Sequence, residues 1–132
     1  MNQQKTFSLF ISPSAWSSQA HSSALNFAQS ALKANHSIYR VFFYSDATLC
    51  ANNSTVAPQD ELNIPLEWVR LAKEHKIDLV TCISAAIKRG ILDETEQNRY
   101  AAETHNLSEE FSLSGLGQLV DAIIHSDRVI SF

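Results

Sequence analysis

Short apolar runs alternate with one-sided helical stripes along this chain, and that alternation predicts its elements. Phe7 to Ile11 reads as a short strand, ended by Ser12-Pro13-Ser14. A helix follows, capped at Ser17 or Ser18 and running to Asn35. Ala20, Ala24, Phe27, Ala28, Ala31 and Leu32 recur on one face of it, and the small alanines let it lie close to a sheet. Ile38 to Tyr44 is nearly continuous in apolar residues, as expected for a strand covered on both sides. Strand, helix and strand make a βαβ unit, whose crossover should be right-handed.

Residues 46 to 60 are polar and read as an irregular loop, long enough in a small domain to suggest a site or an interface. The second helix is expected from Asn63 to about Lys76, with Pro65 tolerated in its first turn. Leu62, Leu66, Val69 and Ala72 mark one apolar face. Trp68 and Leu71 mark a second, read as a widened core stripe with a partner surface as the alternative. Leu79, Val80 and Thr81 end a buried strand, Ser84 to Arg89 form a turn or two of helix, and Gly90 stops it. Asp93-Glu94-Thr95-Glu96 has the form of a capping box opening an exposed helix to about Glu103. Residues 104 to 113 are placed less firmly, with a short strand over Phe111 to Leu113. Ser114 is expected to cap the last helix, where Leu116, Leu119, Val120, Ile123 and Ile124 give the cleanest helical period in the chain. Arg128 to Phe132 closes as a strand. The order implies an α/β fold: one domain over residues 1–132, an open and mainly parallel sheet with helices on both faces.

Composition narrows the function classes. A chain of 132 residues buries about two-thirds of its unfolded surface, so it holds a core without disulfide or metal. Net charge is −4 and no dense Lys/Arg run occurs, which argues against direct nucleic-acid binding. The opening Met-Asn-Gln-Gln-Lys lacks the pattern of a signal peptide, and no stretch approaches the roughly 18 apolar residues of a membrane span. The expected compartment is the cytoplasm, where Cys50 and Cys82 stay reduced.

The chemistry-bearing candidate is Cys82. It falls at the carboxyl end of a predicted parallel strand and the start of a helix, where ligands collect in open α/β sheets. A helix amino terminus favours a thiolate. Core filling is the competing reading, since free cysteine is commonly buried. Lys88 and Arg89 either add positive potential or simply solvate a helix end. Cys50, in the polar loop, has no such junction and reads as a packing residue. The glycines (Gly90, Gly115, Gly117) form no phosphate fingerprint, and Ser114-Gly115-Leu116-Gly117 reads as a helix cap before an anion site. His21, His36, His75, His105 and His125 show no zinc spacing and read as mostly surface residues; none is placed beside Cys82 by sequence. No cofactor or metal motif is found.

Cys82-Ile83-Ser84-Ala85-Ala86-Ile87-Lys88-Arg89-Gly90-Ile91-Leu92-Asp93-Glu94-Thr95-Glu96 resembles the cysteine motif of the DsrE-like sulfurtransferase family. Val41 to Tyr44, Phe111 to Gly117 and Asp127 to Phe132 match in register; residues 46–60 match loosely, and Cys50 has no counterpart in the pattern. The resemblance implies a flavodoxin- or Rossmann-like three-layer sandwich. It also implies a sulfurtransferase whose Cys82 carries sulfane sulfur as a persulfide, with no cofactor. The implied partners are TusB- and TusC-like subunits in a heterohexamer, an upstream TusA-like donor and a downstream TusE-like acceptor. The implied endpoint is 2-thiolation of the wobble uridine of transfer RNA. The alternatives are a DsrE-type subunit of a dissimilatory sulfur-oxidation complex and a non-catalytic interaction subunit. A persulfide relay needs an accessible thiolate and little else.

Overall fold

The computed structural model describes residues 3–132; Met1 and Asn2, which open the stretch read above as a non-signal start, lie outside the described residues. Five strands form one sheet, all parallel: β1 (Thr6–Ile11), β2 (Ser37–Phe43), β3 (Asp78–Cys82), β4 (Phe111–Ser114) and β5 (Arg128–Ser131), in the order β4-β3-β2-β1-β5. The helices are α1 (Ala20–Lys33), α2 (Ile64–His75), α3 (Ile83–Ile87), α4 (Glu94–Tyr100) and α5 (Gly117–Ile124). The chain steps outward from β1 to β4, then α5 returns it to β5 on the far side of β1. Reversing direction while keeping right-handed crossovers puts α5 on the opposite face from α1 and α2. The expected α/β architecture with helices on both faces is what forms.

Side chains alternate between those faces with period two. Leu9, Val41, Leu79 and Phe111 are register partners and belong to the large core with Ala24, Ala28, Trp68 and Ala72 from α1 and α2. One residue on, Phe10, Phe42 and Val80 are partners on the other face, where they cluster with Cys82, Ala85 and Leu119 of α5. The parity therefore sends Thr81 into the large core and Cys82 to the α5 side. Thr81 pays for this: its buried hydroxyl, beside its register partners Phe43 and Leu113, has no hydrogen-bond partner among the described residues.

Several boundaries differ from the sequence reading for identifiable reasons. The N-cap of α1 is Gln19, and Ser18 serves it from outside, its Oγ accepting from the Ala20 amide at 3.1 Å. Asn63 caps α2 by accepting from the Leu66 amide at 3.1 Å. That cap sets the helix phase so that Ile64, Trp68, Leu71 and Ala72 point inward, at i, i+4, i+7 and i+8. Leu62 precedes the helix and stays exposed with Leu66, so the expected core face is rotated. Trp68, fully buried, is no partner surface.

Residues 46 to 60 are only partly irregular. Ser45–Ala51 is a 3-10 helix that buries Ala47, Thr48, Cys50 and Ala51. Asp93 caps α4 as expected, its carboxylate accepting from the Glu96 amide at 2.8 Å, but Glu96 pairs with Arg99 instead of closing the box. That helix ends at Tyr100, where Ala101 turns left-handed. Asn106 organises the stretch that sequence placed least firmly: its side chain accepts from the Leu92 amide and donates to the Gly90 carbonyl, both at 3.0 Å. Ser114 is the last residue of β4, not a cap; α5 begins at Gly117 with Leu116 as N-cap.

The apolar stripe of α5 is the largest departure. Only Ala122 is buried, and Leu119 is half-buried against the second cluster. Leu116, Val120, Ile123 and Ile124 face outward, Ile124 with 72% of its surface exposed. An ionic anchor holds the helix: Arg40, buried on β2, donates to Asp121 Oδ2 at 2.9 Å, to the Gln118 carbonyl at 2.7 Å and to Asp78 at 2.8 Å. The Tyr39 hydroxyl also donates to Asp121 at 2.7 Å, and these bonds hold the Asp121 carboxyl below the usual carboxylate range.

Candidate active site at the carboxyl edge of the sheet

Three neighbouring parallel strands, β2, β3 and β4, end side by side and open a cleft of about 440 Å³ at their carboxyl edge. Each contributes the residues where its strand stops: Tyr44 and Ser45 after β2, Cys82 at the end of β3 with Ile83 after it, Gly115 and Leu116 after β4. Cys82 is both the last residue of β3 and the N-cap of α3, so no linker separates strand from helix. Its side chain makes no cap hydrogen bond, and the first-turn amides, which have no helical partners, lie beside it. The thiol is recessed: Cys82 keeps 5% of its surface exposed.

The helix behind it is held short. Gly90, at φ +78°, turns the chain back so that the Ile91 amide reaches the Ala86 carbonyl at 3.0 Å, as a glycine stop should. Arg89 then crosses the cleft. It donates to the Asp46 carboxylate and to the Ala85 carbonyl, each at 2.9 Å, and thereby ties the end of α3 to the 3-10 helix. Its charge is taken up by that pair. Lys88 lines the cleft, is exposed, and forms no ion pair among the described residues.

The second cysteine is elsewhere. Cys50 sits in the large core, its Sγ 3.8 Å from Nδ1 of His21, and burial pushes its thiol up to about 12. It is a protonated packing residue at neutral pH, as the sequence suggested. His21 is the exception to the reading of the histidines as mostly surface residues: it is fully buried, and desolvation lowers its pKa. His75, His105 and His125 are exposed and His36 is half-buried; among the described residues no histidine lines the cleft. Among the described residues no group of His, Cys, Asp or Glu is arranged to hold a metal ion, and no helix is long and apolar enough to cross a membrane.

Sequence reasoning found Cys82, Lys88 and Arg89, weighed Gly115 and Leu116 as a helix cap or an anion site without joining them to Cys82, and missed Tyr44, Ser45 and Asp46. The signal available was positional. Residues following adjacent parallel strands share one edge, and the strand order that makes β2 and β4 the neighbours of β3 supplies the list.

This strand-to-helix cysteine at the edge of an all-parallel five-stranded sheet coincides with a family match over residues 4–132, and the chain belongs to the DsrE/DsrF-like family. Among its relatives, it is 40% identical to the sulfurtransferase TusD of Serratia proteamaculans over 96% of this chain and 98% of that one. It is 38% identical to a sulfurtransferase TusD homologue of Aliivibrio fischeri, over 96% and 97%. It is also 42% identical to the DsrE protein of Allochromatium vinosum over the same shares. The fold is shared with the ychN protein from E. coli, at a TM-score of 0.76 and 18% identity, over 98% of this chain and all of that one. Kinship with named sulfurtransferases supports a sulfur-transfer role.

Proposed function

We propose that this protein is a sulfur-relay subunit that accepts a sulfane sulfur on Cys82 as a persulfide and hands it to a cysteine of a TusE-like acceptor. The observation that carries this reading is the contrast between the two thiols. Cys82 lines the cleft at the carboxyl edge of β2, β3 and β4, whereas Cys50 packs beside His21 in the large core, its thiol raised by burial to about 12. Thiolate attack on sulfane sulfur needs the first situation and is suppressed by the second. Kinship with TusD sulfurtransferases supports the sulfur-transfer role itself; on this reading a TusA-like protein is the donor, 2-thiolation of the wobble uridine of transfer RNA is the endpoint, and the cytoplasm is the compartment. TusB- and TusC-like subunits are the proposed partners in a heterohexamer, and the outward apolar face of α5 is a surface suited to them.

A second reading rests on the 42% identity to the Allochromatium vinosum DsrE protein: the same chemistry within a dissimilatory sulfur-oxidation complex. The acceptor discriminates between the two.

The test is transfer from a persulfidated TusA-like donor, followed by intact-mass measurement. One added sulfur atom on Cys82, lost on addition of a TusE-like acceptor, is the expected result. Wild-type loading of a Cys82→Ser variant would overturn the assignment and turn attention to Cys50.

A further inference from the structure

The cleft around Cys82 has a charge and a shape that the relay reading does not use. The protein is acidic overall, at −4, yet among the described residues no carboxylate lines this cleft. Of its two cations, Arg89 is neutralised by Asp46, and Lys88 is left without a counter-ion among the described residues. Tyr44, Ser45 and Ser84 add hydroxyls, while Ile83 and Leu116 supply apolar wall. At about 440 Å³ the space falls in the range of small-molecule sites, roughly 300–1,000 Å³. The sulfur target is recessed at its base, so a slender donor reaches it more readily than a cysteine on a folded surface.

We infer that the Cys82 cleft admits small-molecule persulfides bearing carboxylates, so that Cys82 is charged with sulfur without a protein donor. The inference rests on the reading of Cys82 as the sulfur-carrying nucleophile and names a substrate class for it. Lys88 holds the donor's carboxylate at the mouth while the R–S–SH end enters. The Cys82 thiolate attacks the terminal, sulfane sulfur. A new S–S bond forms between Cys82 Sγ and that sulfur as the donor's own S–S bond breaks, and R–S⁻ leaves with the electron pair of the broken bond. The proton stays on the transferred sulfur, giving Cys82–S–SH. Charge is conserved, and no external oxidant or reductant is needed.

The experiment uses the full chain alone, with glutathione persulfide as the anionic probe and cysteamine persulfide as the cationic one, at low ionic strength. Rates of sulfur addition to Cys82 are read by intact mass, with Cys82→Ser as blank. Glutathione persulfide is expected to load faster, and Lys88→Glu to slow it by roughly three- to tenfold while speeding the cationic probe, with Lys88→Gln between. Circular dichroism of each variant guards against misfolding, to which the exposed Lys88 position contributes little. Equal rates for the two probes, or rates indifferent to Lys88, overturn the inference. Loading by a persulfidated TusA-like protein but by neither small persulfide also overturns it and leaves the relay reading standing; loading by no donor sinks both.

Discussion

Trp68 donates its indole N–H to Nδ1 of His21 across 3.1 Å inside the large core. Because indole only donates, Nδ1 is the acceptor and the ring proton sits on Nε2, which donates to the Pro13 carbonyl at 2.8 Å. The folded site thus stores a neutral histidine, and desolvation depresses its pKa. Between that depressed value and about 6.5, the unfolded chain binds more protons than the folded one, so stability rises with pH there. The contribution is full above about 6.5 and is lost as pH falls through the folded value. Urea midpoints should drop between pH 7 and pH 5. His21→Asn, which keeps an acceptor near Trp68, should be less stable at pH 7 but show a flatter profile; an unchanged slope would show that His21 is not the source.

Cys50→Ala should leave sulfur loading intact. The thiol fills core beside His21, so its removal should lower stability by about 1–2 kcal/mol through lost packing. A loading assay beside a denaturation curve separates the two effects. Loss of loading at unchanged stability would make Cys50 part of the chemistry.

Thr81→Val removes a buried hydroxyl that has no partner among the described residues. Replacing an unsatisfied polar group by a methyl of similar shape should stabilise the fold by about 1 kcal/mol, read as a higher urea midpoint with an unchanged slope. Loading at the neighbouring Cys82 should persist, since the two side chains lie on opposite faces of β3. A destabilised variant would mean that Thr81 finds a partner, such as an ordered water.

Light scattering on the protein co-expressed with TusB- and TusC-like subunits should give the mass of two heterotrimers. Ile123→Glu with Ile124→Glu, on the exposed face of α5, should reduce it towards the separate subunits without unfolding this chain. A lone monomer in the wild-type preparation would remove the assembly proposal.

Transfer RNA should not bind directly. Lys88 is one cation without an ion pair among the described residues, on a chain of net charge −4, far short of the phosphate contacts that non-specific affinity needs. Titration with labelled transfer RNA at low salt, where screening is least, is the demanding condition. Micromolar binding that falls steeply with salt would reveal a basic face and a direct handover to RNA.

Local chemistry by itself determined the strands, most helices and the Cys82 junction. Apolar β-branched runs, the Asp93 cap and the Gly90 stop act within a few residues of where they are written, and their signals survive without tertiary context. Cys82 was legible because a strand end, a helix start and a cysteine coincide in three consecutive residues. Tertiary structure decided which faces are buried. The α2 stripe turned inward at Trp68 because the Asn63 cap fixed its phase, while the α5 stripe, the most regular in the chain, was left outward. A hydrophobic period states that a face wants cover, and it cannot say whether this chain or another supplies it. The cleft was likewise beyond the sequence. Tyr44, Cys82 and Gly115 lie far apart along the chain, and only the order β4-β3-β2 brings their strand ends to one edge.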